Sequence, residues 1–395
     1  MPSQQYILIV AYDGTRFHGF QRQYANNNTH NSSSSIEGMK KRPRIDKATG
    51  QRMPMVTADN KNVTVQECLE CAILQWISTA TTSSKKENGA TKHKTTTASP
   101  AGAALPEDDV GKKQEEEEWS LETLNLRVAG RTDKGVHARG QVVAIQLPAT
   151  VCKNVELWKI QKGIHGRLPI DISIRRIFTV DPCKPLFDPR KDAKLKQYSY
   201  TIKYQRLSTK KTNPSTGQQK QHLAAVGSQT FREALEDSPC LWLVHDPLDD
   251  TIMTHACEAL QGTHDYSAFV HPKARSEKDN TLTVSRVEFT ILQEYQPPSL
   301  YLHCDDSDMN ASATTTDKEE QLQPVIVLGR FLVEGQRFRR TMVRNLVGFA
   351  VDVGKGKLSL EDPTTMESIW ACTKEGAASV HAAPASGLCL EFVKY

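Results

Sequence analysis

The segment Arg127-Val-Ala-Gly-Arg-Thr-Asp-Lys-Gly-Val-His-Ala-Arg-Gly-Gln141 gathers the residue types from which a reaction could be built. Its single carboxylate, Asp133, lies between Gly130 and Gly135, with Gly140 following. Glycines at those positions allow a tight loop with Asp133 at its tip, and strands on either side would hold the tip rigidly. Three arginines and one lysine surround that carboxylate. Such cations favour the ionised form of a carboxylate and also attract phosphates. An ionised, positioned carboxylate can act as nucleophile or base. Composition alone leaves a polar hairpin turn equally open, because Gly and Asp are common turn residues. A nucleotide-binding loop is a poor reading. Gly130 and Gly135 have the spacing, but Val136 and His137 stand where Lys and Ser/Thr belong. A calcium loop would need further carboxylates nearby.

Regular elements must position this segment. Tyr6 to Tyr12 reads as a strand. Residues 63–79 predict a helix: Thr64 and Glu67 form a capping box, and Val65, Cys68, Leu69, Ala72, Ile73, Trp76 and Ile77 make one apolar stripe. Cys68-Leu-Glu-Cys71 could begin a zinc site, but no second half-site follows, so Cys68 reads as core. Leu124 to Ala129 and Gln141 to Leu147 predict two strands around the Asp133 loop. Gln197 to Lys203 and Leu388 to Val393 predict two more. Helices are expected over 251–260 and 337–351. In the second, Arg337, Arg340 and Arg344 would share a face opposite Phe338, Met342, Leu346 and Ala350. By pattern alone that face is a solvated basic one. Mixed strands and helices with hairpin-like pairs predict an α+β fold on a largely antiparallel sheet.

Four stretches, 26–62, 82–118, 207–223 and 305–322, are too polar to bury and are expected to be mobile surface insertions. The chain has 395 residues, an apolar fraction of 38% and a formal charge of +4, which suits a normal core diluted by insertions. The mild basicity permits nucleic-acid binding without requiring it. Nine scattered cysteines argue for a reducing compartment rather than a disulfide framework. No run approaches the roughly 18 apolar residues of a membrane span. No signal-peptide pattern is seen, and a strand so near residue 1 leaves little room for a transit peptide. Lys40-Lys-Arg-Pro-Arg44 reads equally as a nuclear signal or a solubilising run. The expected location is cytoplasm or nucleus.

Gly130-Arg-Thr-Asp-Lys-Gly-Val-His-Ala138 closely resembles the GRTDxGVHA signature of the TruA family of tRNA pseudouridine synthases. Other segments match in order. They are Tyr12 to Gln23, Thr64-Val-Gln66, Leu168 to Ile172, Phe187-Asp-Pro-Arg190, Lys196-Gln-Tyr-Ser-Tyr200, Gly262 to Phe269, Met342-Val-Arg-Asn345 and Ala383 to Leu388. The four insertions fall between the matches, so they bear on substrate choice more than on chemistry.

The resemblance implies the pseudouridine synthase fold: two α+β halves, 1–180 and 181–395, sharing a mostly antiparallel sheet with a central RNA-binding cleft. It implies uridine isomerisation in structured RNA, in tRNA around the anticodon stem-loop, without cofactor or metal, by a monomer or homodimer. Asp133 would be catalytic. Arg131 would lie near the flipped nucleotide's phosphate or near Asp133. Tyr198 would pack on the target base, with Tyr200 as the alternative, and Arg344 would pair with Asp133. His18 and His137 are left as structural or RNA-contacting. The competing reading is a catalytically silent RNA-binding protein on the same fold. The intact set of Asp133, Arg131, Tyr198 and Arg344 argues against it.

Overall fold

A computed structural model describes residues 3–22, 63–89, 119–181, 186–207, 240–275, 279–295 and 325–395, with side chains to residue 81 in the second stretch. The basic cluster 40–44 and most of the four polar stretches lie outside these residues. The chain divides into two units. The first comprises residues 1–12, 16–132 and 140–192, and the second residues 13–15, 133–139 and 193–395.

In the first unit, β1 (Ser3–Tyr12) buries Tyr6, Leu8, Val10 and Tyr12 on one face, the period-two pattern of a half-buried strand. Helix α1 (Val65–Gly89) starts on the predicted capping box: the Glu67 N–H donates to Thr64 Oγ1 at 3.3 Å and the Thr64 N–H to Glu67 Oε2 at 2.9 Å. It runs on to Gly89, into the stretch read as an insertion, because nothing between Thr79 and Gly89 breaks a helix. Cys68 is buried in its apolar stripe, as expected.

The strand expected over 124–129 is largely replaced. Leu121–Leu124 is one helical turn capped by Ser120 and ended by Asn125 at φ +45°, leaving β2 only Arg127–Val128. Ser120 and Thr123 bond each other's backbone N–H, and this local capping overrides the extended reading. Strand β3 (His137–Pro148) pairs with β2, Arg127 opposite Ala144 and Val128 opposite Val143. Helix α2 (Leu157–His165) leads to β4 (Ile172–Thr179), which pairs antiparallel with β1.

The second unit is built on β5 (Leu195–Gln205) and β6 (Trp242–Leu243). Helix α3 (Asp250–Ala259) and β7 (Gly262–Asp265) follow, then β8 (Thr281–Tyr295) and β9 (Ile326–Gly335). Helix α4 (Met342–Gly354) and α5 (Pro363–Trp370) precede β10 (Leu388–Lys394). The strand order is β10-β5-β9-β8-β7, all antiparallel neighbours. The first residues of β3 lie parallel to β10, Cys389 opposite His137 and Leu390 opposite Ala138. The sheet is therefore mixed and mostly antiparallel. Tyr200, Tyr204, Phe331 and Val333 are buried on it, and Tyr266, Phe269 and Phe349 fill the core nearby. No helix among the described residues is long and apolar enough to cross a membrane.

Candidate active site

The loop between β2 and β3 is held on both sides of Asp133. In the first unit, Gln141 Nε2 donates to the Gly130 carbonyl at 2.7 Å. The hydroxyls of Tyr12 and Thr132 are 2.8 Å apart, and the Phe20 N–H donates to the Thr132 carbonyl at 3.1 Å. Tyr12 and Gln141 are buried, so water does not compete for these bonds. In the second unit, the Val136 N–H donates back to the Asp133 carbonyl at 3.1 Å, closing a turn. Gly135 takes φ +79° in that turn, where an L side chain is strained. The Gly14 N–H donates to His137 Nδ1 at 3.2 Å, and a Cβ on Gly14 would sit 2.0 Å from the Val136 carbonyl oxygen. The Tyr-Asp-Gly of the opening segment is thus a brace for the Asp133 turn.

Asp133 keeps 29% of its side chain exposed, and its Oδ1 lies 3.6 Å from Nε of Arg340, which is 70% exposed. This differs from the expected pairing with Arg344. Arg344 Nε donates to the Ala383 carbonyl at 2.7 Å, and the Ala383 N–H donates to the Arg344 carbonyl at 3.0 Å. Among the described residues its side chain makes no ion pair with Asp133. The helix starts at Met342 rather than 337, with Thr341 at φ +63° before it. Arg337 and Arg340 therefore stand outside the helix, and Arg340 no longer shares a helical face with Arg344. Thr341 makes no side-chain cap; its left-handed backbone sets the start, which the residue types before it do not announce.

Tyr198 is 7% exposed, and its ring meets Phe338 edge-on with centroids 5.4 Å apart. Ala138, Leu390 and Tyr198 form one row across β3, β10 and β5. Tyr198 thus stands two strands, roughly 10 Å, from a residue five positions beyond Asp133. Tyr200 is fully buried, and its hydroxyl donates to the Pro384 carbonyl at 2.7 Å. Burial pushes its ionisation far up, and with no exposed area it packs the core more deeply than Tyr198. Arg131 is exposed. His137 is 3% exposed, which gives it a structural place and removes it from RNA contact. His18 is half-buried, and its backbone N–H donates to the Val63 carbonyl at 3.0 Å. Among the described residues no three His, Cys, Asp or Glu side chains gather as metal ligands would.

The second unit thus carries a carboxylate on a braced turn, a guanidinium beside it and, in the sheet row of Ala138, an aromatic ring. The family described as tRNA pseudouridine synthase matches residues 256–395. A tRNA pseudouridine synthase A of Nitratidesulfovibrio vulgaris is 31% identical over 284 residues, covering 69% of this chain and 82% of that protein. A protein of that name from Geobacter sulfurreducens is 28% identical over 274 residues, 69% of this chain and 84% of its own. A tRNA pseudouridine synthase A 2 of Protochlamydia amoebophila is 28% identical over 274 residues, with 69% and 79% covered. The chain belongs to the TruA family of tRNA pseudouridine synthases.

Proposed function

We propose that this protein isomerises uridine to pseudouridine in tRNA, with Asp133 as the carboxylate that carries the chemistry. The observation that carries the reading is the Asp133 turn itself: braced by Gly14, Tyr12 and Gln141, partly open to solvent, with Arg340 3.6 Å away. Isomerisation breaks the C1′–N1 bond, turns the uracil and joins C5 to C1′. The C5 proton leaves, N1 gains one, and no electrons are exchanged with a partner. Such a reaction asks for a fixed carboxylate and a surface that keeps the detached base.

A base inside a stem must leave its stack to react, and aromatic contact helps to hold it. The ring of Tyr198, fixed by Phe338, suits that contact. Arg131 and Arg340 are exposed cations, each suited to meeting a phosphate of the RNA. Arg344 serves by tying its helix to Ala383. The family resemblance points to uridines around the anticodon stem-loop.

The test uses tRNA transcribed with tritium at uracil C5, because forming the C5–C1′ bond releases that hydrogen to water. The wild-type protein should release it and Asp133→Asn should not, while both bind tRNA. Release at near-normal rate from folded Asp133→Asn protein refutes the assignment.

A further inference from the structure

The reaction leaves one buried cluster unused. Strand β9 covers one edge of β5 from Lys196 to Gln205, so β6 and β10 both lie along the other edge. Trp242 pairs with Ile202, which brings Cys240 level with Tyr200. On the same edge Leu388 pairs with Tyr200 and Cys389 with Ser199. The segment 240–241 therefore lies beside the start of β10, where Ser386 Oγ donates to the Leu241 carbonyl at 3.2 Å, and this brings Cys240 and Cys389 into one neighbourhood. Cys389 is also the ladder partner of His137.

His137 points an unsatisfied atom into this place. Its Nδ1 accepts from the Gly14 N–H at 3.2 Å, and a backbone N–H can only donate. Asp13 Oδ1 also lies 3.2 Å from Nδ1, and the other ring nitrogen, Nε2, is buried without a hydrogen-bond partner. A thiolate is a fitting neighbour for it.

We propose that Cys240 and Cys389 form an oxidisable dithiol, with Cys240 the attacking sulfur and Cys389 the resolving one, and that closing the disulfide slows the isomerisation. With hydrogen peroxide as oxidant, the Cys240 thiolate attacks one peroxide oxygen, the O–O bond breaks and hydroxide leaves. The Cys240 sulfenic acid formed is then attacked by the Cys389 sulfur. The S–S bond forms, the S–O bond breaks, and water carries away the hydroxyl with the Cys389 proton. Two thiols and one peroxide give one disulfide and two waters.

The order of events follows from the surroundings. Cys240 is half-buried and Cys389 buried, so the oxidant reaches Cys240 first. A hydrogen bond from Cys389 and then the nearby His137 ring hold the Cys240 thiol below its usual range, against its burial. The hydrogen bond to Cys240, with burial, holds Cys389 above it. Burial raises the thiols of Cys68, Cys71, Cys152 and Cys257, which makes them poor nucleophiles. The effect on turnover follows from position. An S–S bond of about 2.05 Å is shorter than any contact between two thiols, so closing it draws the segment at Cys240 and β10 together beside His137, four residues from Asp133. Displacing a catalytic group by about 1 Å can cost on the order of 100-fold in rate.

The full-length reduced protein is treated with hydrogen peroxide, quenched with catalase, and its remaining thiols are alkylated under denaturing conditions. Peptide mapping should find Cys240 joined to Cys389. Turnover should fall at least tenfold and return with dithiothreitol. Cys240→Ser, at a half-buried position, should keep the reduced-state rate and resist peroxide. Cys389→Ala should leave Cys240 as a sulfenic acid trappable by dimedone. Peroxide treatment that leaves both thiols free, or links other cysteines instead, overturns the proposal. A disulfide that forms without slowing turnover overturns its second half. That half rests on the isomerase reading, whereas the peptide map does not. Absence of turnover in the reduced protein would count against the isomerase reading alone.

Discussion

Replacing Arg340 and Arg344 separately by alanine distinguishes the geometry from the family-based expectation. The Arg340–Asp133 contact spans 3.6 Å. Two unit charges at that distance attract by about 4.6 kcal/mol at an effective dielectric of 20 and about 1.2 kcal/mol in water. With the guanidinium 70% exposed, the lower figure governs, and exposed pairs measure about 0.2–1 kcal/mol. Arg340→Ala should therefore slow single-turnover isomerisation at saturating tRNA by about fivefold or less, since 1.36 kcal/mol is tenfold. If Arg340 also meets a phosphate, the salt slope of tRNA binding should fall by about one. Arg344→Ala acts elsewhere. It removes a charged hydrogen bond of 2.7 Å to the Ala383 carbonyl, an interaction worth about 1.5–3 kcal/mol. It should lower the denaturation midpoint in urea and leave folded protein with most of its rate. The reasoning is refuted if Arg340→Ala is silent in both assays while Arg344→Ala unfolds normally and loses more than 100-fold in rate. Arg344 would then be the partner of Asp133 in the reacting complex.

Gly14→Ala should destabilise by about 1–3 kcal/mol or more, because its Cβ would sit 2.0 Å from the Val136 carbonyl oxygen; unchanged urea unfolding would show that the brace yields freely. Tyr198→Phe should keep most of the rate, since the ring face is retained, whereas Tyr198→Ala should lose at least tenfold at saturating tRNA; equal rates for the two would remove the base-stacking role. Binding of tRNA should weaken steeply between 50 and 200 mM salt, as counterion release demands, and a flat salt series would argue against a phosphate-tracking surface.

Much of the fold could be read from local pattern. Helix α1 follows from Thr64, Glu67 and the apolar stripe because those signals lie within one segment. Strand β5 shows in the alternation of Tyr198, Tyr200, Ile202 and Tyr204. The failures came at helix starts, one set by a side-chain cap and one by a left-handed residue. Ser120 and Thr123 wind a turn where Leu124 and Leu126 suggest a strand. Thr341 at φ +63° starts α4 five residues later than its periodicity allows. That second error matters most for the site, because a helix through Arg340 would set it on one face with Arg344. The brace was illegible for a different reason. Gly14 and His137 lie 123 positions apart, and only the folded chain shows that a glycine is needed where its Cβ would strike Val136.

The residues that match the family divide unevenly between chemistry and support. Arg22 is committed to Glu70 at 2.6 Å, and Arg127 lies 3.3 Å from Asp188. The Tyr266 hydroxyl donates to the Leu260 carbonyl at 2.8 Å, and Asn345 Nδ2 to the Phe269 carbonyl at 2.6 Å. Tyr200, Gly14 and Arg344 likewise hold backbone in place. Against these stand the few residues proposed for the chemistry: the carboxylate Asp133 with Tyr198, Arg131 and Arg340. The proportion follows from the reaction. In the proposed reaction no electrons are exchanged with a partner, so its rate enhancement would come from placing Asp133 against a base that has been pulled from its stack. Positional errors of about 1 Å are costly in such a design. A motif rich in supporting contacts is what that demand predicts. It also fits a chain whose family-like motifs lie on both sides of each of its four polar stretches.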